Sequence, residues 1–396
     1  MFARKTLLTE RKEGVCFTYP PQWDLVSALR FEIQAECPVT GARAGMLTTA
    51  HGSVETPVFM PVGTQGTVKG LTPRVLMDEL DARIILGNTY HLFLRPGPER
   101  IERFGGLHKF ISWPRTLLTD SGGFQIFSLD SLRKVTDEGV EFRSHLNGDA
   151  HFFTPESTVD TQLAFGSDIA MALDECLPYG VTHEEAEISM ERTIRWARAG
   201  HAHYLLRERS RHTALFPIVQ GSMFTDLRRR CAEALVELDA PGYAVGGLSV
   251  GEPRALSQEM TAATVPVLPK DRPRYAMGVG MPEELPQYVA QGIDMMDCVL
   301  PTRNARNGFL FTSAGKVVIK QAQYTDDESA LDAACQCYTC QTFSRGYLRH
   351  LFMAGEMLFS TLATLHNVRY YLDIMRRIRQ AIVLGKFPAF LKTFEC

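Results

Sequence analysis

The sequence predicts an α/β protein folded as a (β/α)8 TIM barrel, with an N-terminal β-hairpin region and a zinc-binding insertion near the C-terminus. Three observations carry that expectation. Eight short apolar runs recur between Val58 and Leu300, separated by stretches with the apolar spacing of helices. Each run ends in polar residues or glycine, where barrel enzymes place their chemistry. After Gly308 the alternation stops and a tight cysteine cluster follows. A doubly wound open sheet would alternate in the same way, because strand number alone does not close a ring.

Bulk composition agrees with an enzyme of this size. A chain of 396 residues with 45% hydrophobic and 22% charged residues is ordinary for a globular protein, and α/β barrels commonly use more than ~250 residues as one unit. No apolar run approaches the ~18 residues that a membrane span needs. The opening MFARKTLLTERKEG holds acidic residues and no continuous apolar core, so it does not read as a secretory signal, and a cytoplasmic location is expected. The net charge of −3 hides an asymmetry. From Arg303 onward there are twelve Lys/Arg against seven Asp/Glu, or +5, which leaves −8 for the remainder. A basic region on an acidic body suits a local polyanion contact, though a solvated helical surface gives the same count.

In chain order, residues 1–30 form an extension broken at Pro20-Pro21, and 31–396 form the barrel unit. Arg30–Gln34 and Met46–Thr49 alternate like strands, with turns at Thr40-Gly41 and His51-Gly52. The eight barrel strands are expected at Val58–Val62, Arg83–Leu86, Thr116–Leu118, Asp168–Leu173, Ala214–Val219, Tyr243–Val245, Arg274–Met277 and Met295–Leu300. Helices are expected between them, for instance at Thr182–Leu206 and Phe224–Leu238. Beyond Pro301 a polar loop should carry Arg303, Asn304, Arg306 and Asn307. Phe309–Lys320 reads as a hairpin around Ser313-Ala314-Gly315. A zinc-binding subdomain covers about 309–370, and amphipathic helices run from about Phe343 to the end.

Two constellations carry chemistry. Cys335-x-Cys337-x2-Cys340, joined by His366 or His350, supplies three thiolates and an imidazole, a common structural Zn2+ set. Six other cysteines are scattered, so a disulfide framework is not expected. Four protein ligands leave no open position, hence one structural zinc per chain. The second constellation is Asp120, Asp174 and Asp297, all at strand ends and therefore at one mouth of a barrel. Asp297 sits inside an apolar run, where a charge is costly unless it is paired or used. Paired carboxylates can divide the work of nucleophile and general acid/base, although Asp120 alone could merely cap the next helix. Ser121-Gly122-Gly123 and Gly246-Gly247 allow close backbone approach or simply make turns. Phe124 could stack on a planar ligand or pack in the core, and the Gln220 amide could bond a base edge.

Read together, PVGTQGTVKG, ILGNTYHL, LRPG, LTDSGGFQ, SDIAMALDEC, VQGS, YAVGGLSVGE, MGVG, MMDCVLPTRNARNG and CQCYTC resemble the tRNA-guanine transglycosylase family, in order and over residues 31 to 390. The resemblance implies a (β/α)8 barrel that exchanges guanine at the anticodon wobble position of tRNA for a 7-deazaguanine base. It implies Asp297 as nucleophile and Asp120 as general acid/base. Asp174, Gln220, Ser121 and the Gly247-Leu248 backbone would bind the base, with Phe124 and Met277 sandwiching the ring. Arg303 and Arg306 would hold flanking anticodon nucleotides, and Cys335, Cys337, Cys340 and His366 would hold zinc.

Cys176 and Val250 resemble bacterial members of the family, whereas Ser249 departs mildly from their usual alanine. This points to 7-aminomethyl-7-deazaguanine as the incoming base, with queuine as the alternative. The implied partners are a tRNA with a G-U-containing anticodon and a second copy of the chain in a homodimer. A non-catalytic RNA-binding subunit would not need both Asp120 and Asp297. A carbohydrate glycosidase would not need the cysteine module or Arg303 and Arg306.

Overall fold

The computed structural model describes residues 28–127 and 133–394, so nearly all of the expected N-terminal extension lies outside the described residues. Nine parallel strand segments form one sheet whose end segments are neighbours in the chain. Those two, Ala214–Phe216 and Ile218–Val219, are separated only by Pro217, which has no N–H to give to the ladder. The first pairs with Ile169–Met171 and the second with Tyr243–Val245. One kinked strand therefore closes the ring, and the eight-stranded barrel expected from the sequence is present.

The remaining strands are Val58–Gly63, Ile84–Gly87, Thr116–Thr119, Arg274–Ala276 and Met295–Cys298. Alternate residues point inward, as a strand period of two requires. Met60, Ile84, Leu118, Met171, Phe216, Ala244 and Met295 fill the barrel, while neighbours such as Phe59, Ile85 and Val245 face the surrounding helices. Burying each large interior side chain is worth about 1.5–3 kcal/mol.

The N-terminal strands Arg30–Glu36, Arg43–Thr49 and Gly52–Thr56 form an antiparallel sheet that contributes Leu47 and Val54 to the barrel interior. Its anchor is a buried ion pair: Arg43 Nη2 lies 2.6 Å from Asp294 Oδ2. Asp294 also accepts the Arg274 N–H at 2.7 Å, so this charge is satisfied from two sides.

Two segments differ from the sequence expectation. Arg133–Val135, Val140–Arg143 and Ala150–Phe153 make a second antiparallel sheet after the third barrel strand. The polar loop beyond Pro301 is instead a helix, Leu300–Arg306. Proline in a first helical turn forfeits no bond, because that N–H has no partner within the helix.

The hairpin Phe309–Thr312/Gly315–Val318 forms as expected. Beyond it, the long helix Met357–Val383 packs on Leu300–Arg306 and the hairpin. Arg379 reaches from this helix to the Gly45 carbonyl at 2.9 Å and to Thr56 O, tying it to the N-terminal sheet.

Candidate active site

Asp120 follows the third barrel strand and is buried. Its Oδ1 accepts the Thr89 N–H at 2.8 Å and its Oδ2 accepts Asn88 Nδ2 at 2.6 Å. The carboxylate thus faces the end of the second strand, and it also accepts the Gly122 N–H just before the helix that follows it. Burial, reinforced by the nearby Asp297 and Asp174 charges, raises its pKa to about 7.

Asp297 lies on the eighth strand, partly open to solvent. Its Oδ1 accepts the Tyr275 hydroxyl at 2.6 Å and the Gly278 N–H at 2.9 Å, from the seventh strand and the turn after it. Burial among low-dielectric neighbours still pushes its pKa up.

Asp174 is buried after the fourth strand, with Ser121 Oγ donating to Oδ1 at 2.8 Å and Gln220 Nε2 to Oδ2 at 2.7 Å. Its pKa rises to about 6, chiefly through burial. The hydrogen bonds link three strand ends: Ser121 on the third, Asp174 on the fourth, Gln220 on the fifth. Gly123 is required beside them, since a Cβ there would meet the Asp174 carbonyl at 2.7 Å.

The remaining expected residues lie on the strand ends and on the segments that follow them. Cys176 is buried, its thiol pushed up to about 12 by burial and by the Asp174 charge. Leu248 is buried and Met277 half-buried, whereas Phe124 is 53% exposed, so its ring is presented rather than packed in the core. Val250 is half-buried, and its N–H and that of Ser249 are both held by Glu252, at 2.8 and 2.6 Å. Arg303 is exposed and Arg306 half-buried on the helix just beyond Asp297. Neither makes an ion pair with a carboxylate among the described residues.

Sequence reasoning missed the groups that orient the carboxylates. Tyr275 is silent inside an apolar run. Asn88 and Thr89 stand at a strand end, a signal that could have found them. Glu252 follows the Gly246–Gly251 segment without any local pattern.

The cysteine cluster assembles as the spacing required. Cys335, Cys337, Cys340 and His366 are buried, with one potential ligand atom from each within 4.8 Å of all the others. A tetrahedral ion with bonds of ~2.3 Å to sulfur and ~2.0–2.1 Å to nitrogen has S···N edges of about 3.6 Å. His366 Nδ1 lies 3.6 Å from Cys337 Sγ and 3.2 Å from Cys340 Sγ, close to that edge. Its Nε2 lies 2.6 Å from the Phe311 carbonyl, a bond that leaves Nδ1 for an ion. His350 is exposed and stacks near Tyr347, away from the cluster. The residues fit a metal ion, with His366 rather than His350 placed as the fourth potential donor.

A second group, His51, His108 and Asp168, also brings its atoms within 4.8 Å. Its two rings stack at 3.5 Å with planes 11° apart. An ion lies in the plane of an imidazole that binds it, and two parallel planes cannot share one. Both Asp168 oxygens are already engaged, by His51, His108 and the Leu117 N–H. The group is a hydrogen-bonded clasp at the N-terminal end of the fourth strand.

The family comparison matches this architecture. The profile described as Queuine tRNA-ribosyltransferase covers residues 37–396. The chain belongs to the queuine tRNA-ribosyltransferase family. A relative of that name from Solibacter usitatus (strain Ellin6076) is 67% identical over 93% of this chain and 97% of its own. Another, from Koribacter versatilis (strain Ellin345), is 55% identical over 91% and 96% respectively. A third, from Caldanaerobacter subterraneus subsp. tengcongensis, is 54% identical over 93% and 97%. Enzymes of this family are tRNA-guanine transglycosylases, the pentosyltransferase class expected from the motifs. Among the described residues no helix is long and apolar enough to cross a membrane.

Proposed function

We propose that this chain exchanges guanine at the wobble position of a tRNA with a G-U-containing anticodon for 7-aminomethyl-7-deazaguanine, through a covalent aspartyl–ribose intermediate. The observation that carries the reading is the pair of unequal carboxylates at one barrel mouth. Asp297 has one oxygen fixed by Tyr275 and Gly278, which leaves Oδ2 as the nucleophilic atom. Asp120, raised to about 7, can hold or release a proton near neutrality.

In the first half-reaction Asp297 Oδ2 bonds to the anomeric carbon of the ribose. The glycosidic bond breaks, and guanine leaves as its N9 takes the proton from Asp120. In the second, the Asp120 carboxylate removes the corresponding proton from the incoming base. That nitrogen bonds to the anomeric carbon and releases Asp297, restoring both groups. Positive charge developing on the ribose is stabilised by the same carboxylate that captures it.

Asp174, Gln220, Ser121 and the Gly247-Leu248 backbone supply donors and acceptors for the purine edge. A base with the wrong pattern would leave these buried groups unpaired, which penalises it heavily. Phe124 and Met277 flank the ring, and Cys176 and Val250 bound the space around its substituent. Arg303 and Arg306 meet the neighbouring anticodon nucleotides, whose bases are splayed from the loop. The Cys335, Cys337, Cys340 and His366 set holds a structural Zn2+, and the protein acts as a homodimer.

Radiolabelled guanine incubated with unmodified tRNA should be incorporated by the wild type and not by Asp297→Ala. Equal incorporation by both would sink the nucleophile assignment. Wild type should also leave a protein–tRNA adduct on a denaturing gel that Asp297→Ala lacks. Queuine strongly preferred over the 7-aminomethyl base in the same assay would overturn the substrate reading.

A further inference from the structure

Arg228 has no place in the proposed chemistry, yet its position is costly. It lies in the first turns of the helix Thr225–Val236, completely shielded from solvent. A cation is disfavoured near a helix N-terminus, and none of the described carboxylates forms an ion pair with it. Its guanidinium donates instead to three backbone carbonyls: Ser222 through Nε at 2.8 Å, Gly246 through Nη1 at 3.0 Å and Gly247 through Nη2 at 3.1 Å. The carbonyls belong to the loops after the fifth and sixth barrel strands, which carry Gln220, Gly247 and Leu248.

Carbonyl and N–H point in opposite directions in a trans peptide. Fixing the Gly246 and Gly247 carbonyls on one guanidinium therefore turns the N–H groups of Gly247 and Leu248 to the other side. Successive amides presented this way, with Gly247 at φ +62, make a small concave donor pair suited to an acceptor oxygen. The Gly247 N–H is turned toward the Cys176 thiol, a weak acceptor that a purine oxygen would replace, so the pair faces the buried Cys176 and Asp174 side chains. A Cβ at Gly247 would lie 2.4 Å from Gln220 Oε1, which leaves the segment little freedom to adjust.

We propose that Arg228 is a positioning residue for the exchanged base: its three carbonyl bonds preset the Gly246–Leu248 peptides for a purine oxygen. This rests on the purine-pocket reading above. Lysine cannot span three carbonyls on two loops, because its donors radiate from a single atom.

The test is binding of free guanine and, separately, of unmodified tRNA to the zinc-loaded enzyme, in wild type, Arg228→Lys and Arg228→Met. Both variants should raise the Kd for guanine about tenfold or more, the effect of misdirecting a buried donor. The Kd for tRNA should stay within about twofold, since the phosphate and anticodon contacts lie elsewhere. Guanine affinity unchanged in a folded variant overturns the proposal. So does a parallel loss of guanine affinity, tRNA affinity and Tm, which would mark a general structural role. If neither variant folds, Arg228 belongs to barrel stability and the proposal fails. A wild type that binds no guanine would sink the purine-pocket reading instead.

Discussion

Asp174 shows what a buried carboxylate costs the fold. Its folded pKa of about 6 stands above the ordinary carboxyl value near 4. The protonated form therefore stabilises the fold fully below about pH 4, and that contribution is lost as pH rises through about 6. Asp174→Asn keeps both neighbours bonded, because the Ser121 hydroxyl can rotate and the Gln220 amide can flip. The variant is expected to be more stable than wild type at pH 8, by up to about 3 kcal/mol, with the difference vanishing near pH 4. Thermal scans across that range check it. Guanine binding should be lost at the same time. An Asp174→Asn protein no more stable than wild type at pH 8 would mean that the buried charge costs nothing.

Among the elements, the hairpin Phe309–Thr312/Gly315–Val318 and the helix Met357–Val383 are joined through adjacent residues. His366 bonds the Phe311 carbonyl. Asn367 accepts the Phe311 N–H at 3.1 Å and donates to the Pro301 and Phe309 carbonyls, each at 3.0 Å. Asn367→Ala removes three hydrogen bonds to the backbone of the hairpin and of the helix before it and should cost about 2–4 kcal/mol in denaturant unfolding. Elemental analysis should give about one zinc per chain. Strong chelation should speed hydrogen exchange in residues 309–345 more than in the barrel strands. Uniform exchange after chelation would show that the metal is not local to this module.

For the molecule as a whole, the clasp of His51, His108 and Asp168 ties the N-terminal sheet to the barrel floor. Burial would raise the Asp168 pKa, but hydrogen bonds and charge from His108 and His51 outweigh it and leave the pKa lowered. Stability from this carboxylate is therefore present above the unfolded value near 4 and lost as pH falls through the lower folded value. Asp168→Asn is expected to cost about 3–5 kcal/mol at neutral pH, with the gap to wild type closing in strong acid. Urea unfolding at pH 7 and at pH 3 measures both.

How much of this was legible in the sequence depended on the signal each segment carries. Apolar runs bounded by polar residues located all eight barrel strands, and Asp297 stood out as a charge inside one of them. The cysteine spacing picked out three potential ligands and the family resemblance chose His366 over His350, and the fold brings those four together. The sheet over Arg133–Phe153 was not legible, because its strands have only three or four residues and fall outside the β/α alternation. Asp168 was absorbed into an apolar run, although its partners come from His51 and His108, 117 and 60 residues away. Arg228 carries no distinguishing signal, standing in a run of three arginines, Arg228 to Arg230.

The kink at Pro217 has a counterpart across the ring. Val58–Pro61 pair with Met295–Cys298, and only Val62 and Gly63 pair with the second strand. The barrel is thus two half-sheets that meet at one proline and at one change of partner. Asp120 and Asp174 sit on one half, and Gln220, Gly247, Met277 and Asp297 on the other. The 2.7 Å bond from Gln220 to Asp174 crosses the seam between them. Cutting the chain beside Pro217 would give two fragments that each hold half the site and cannot turn over alone. Guanine exchange regained on mixing them would make this enzyme a reporter of its own reassembly.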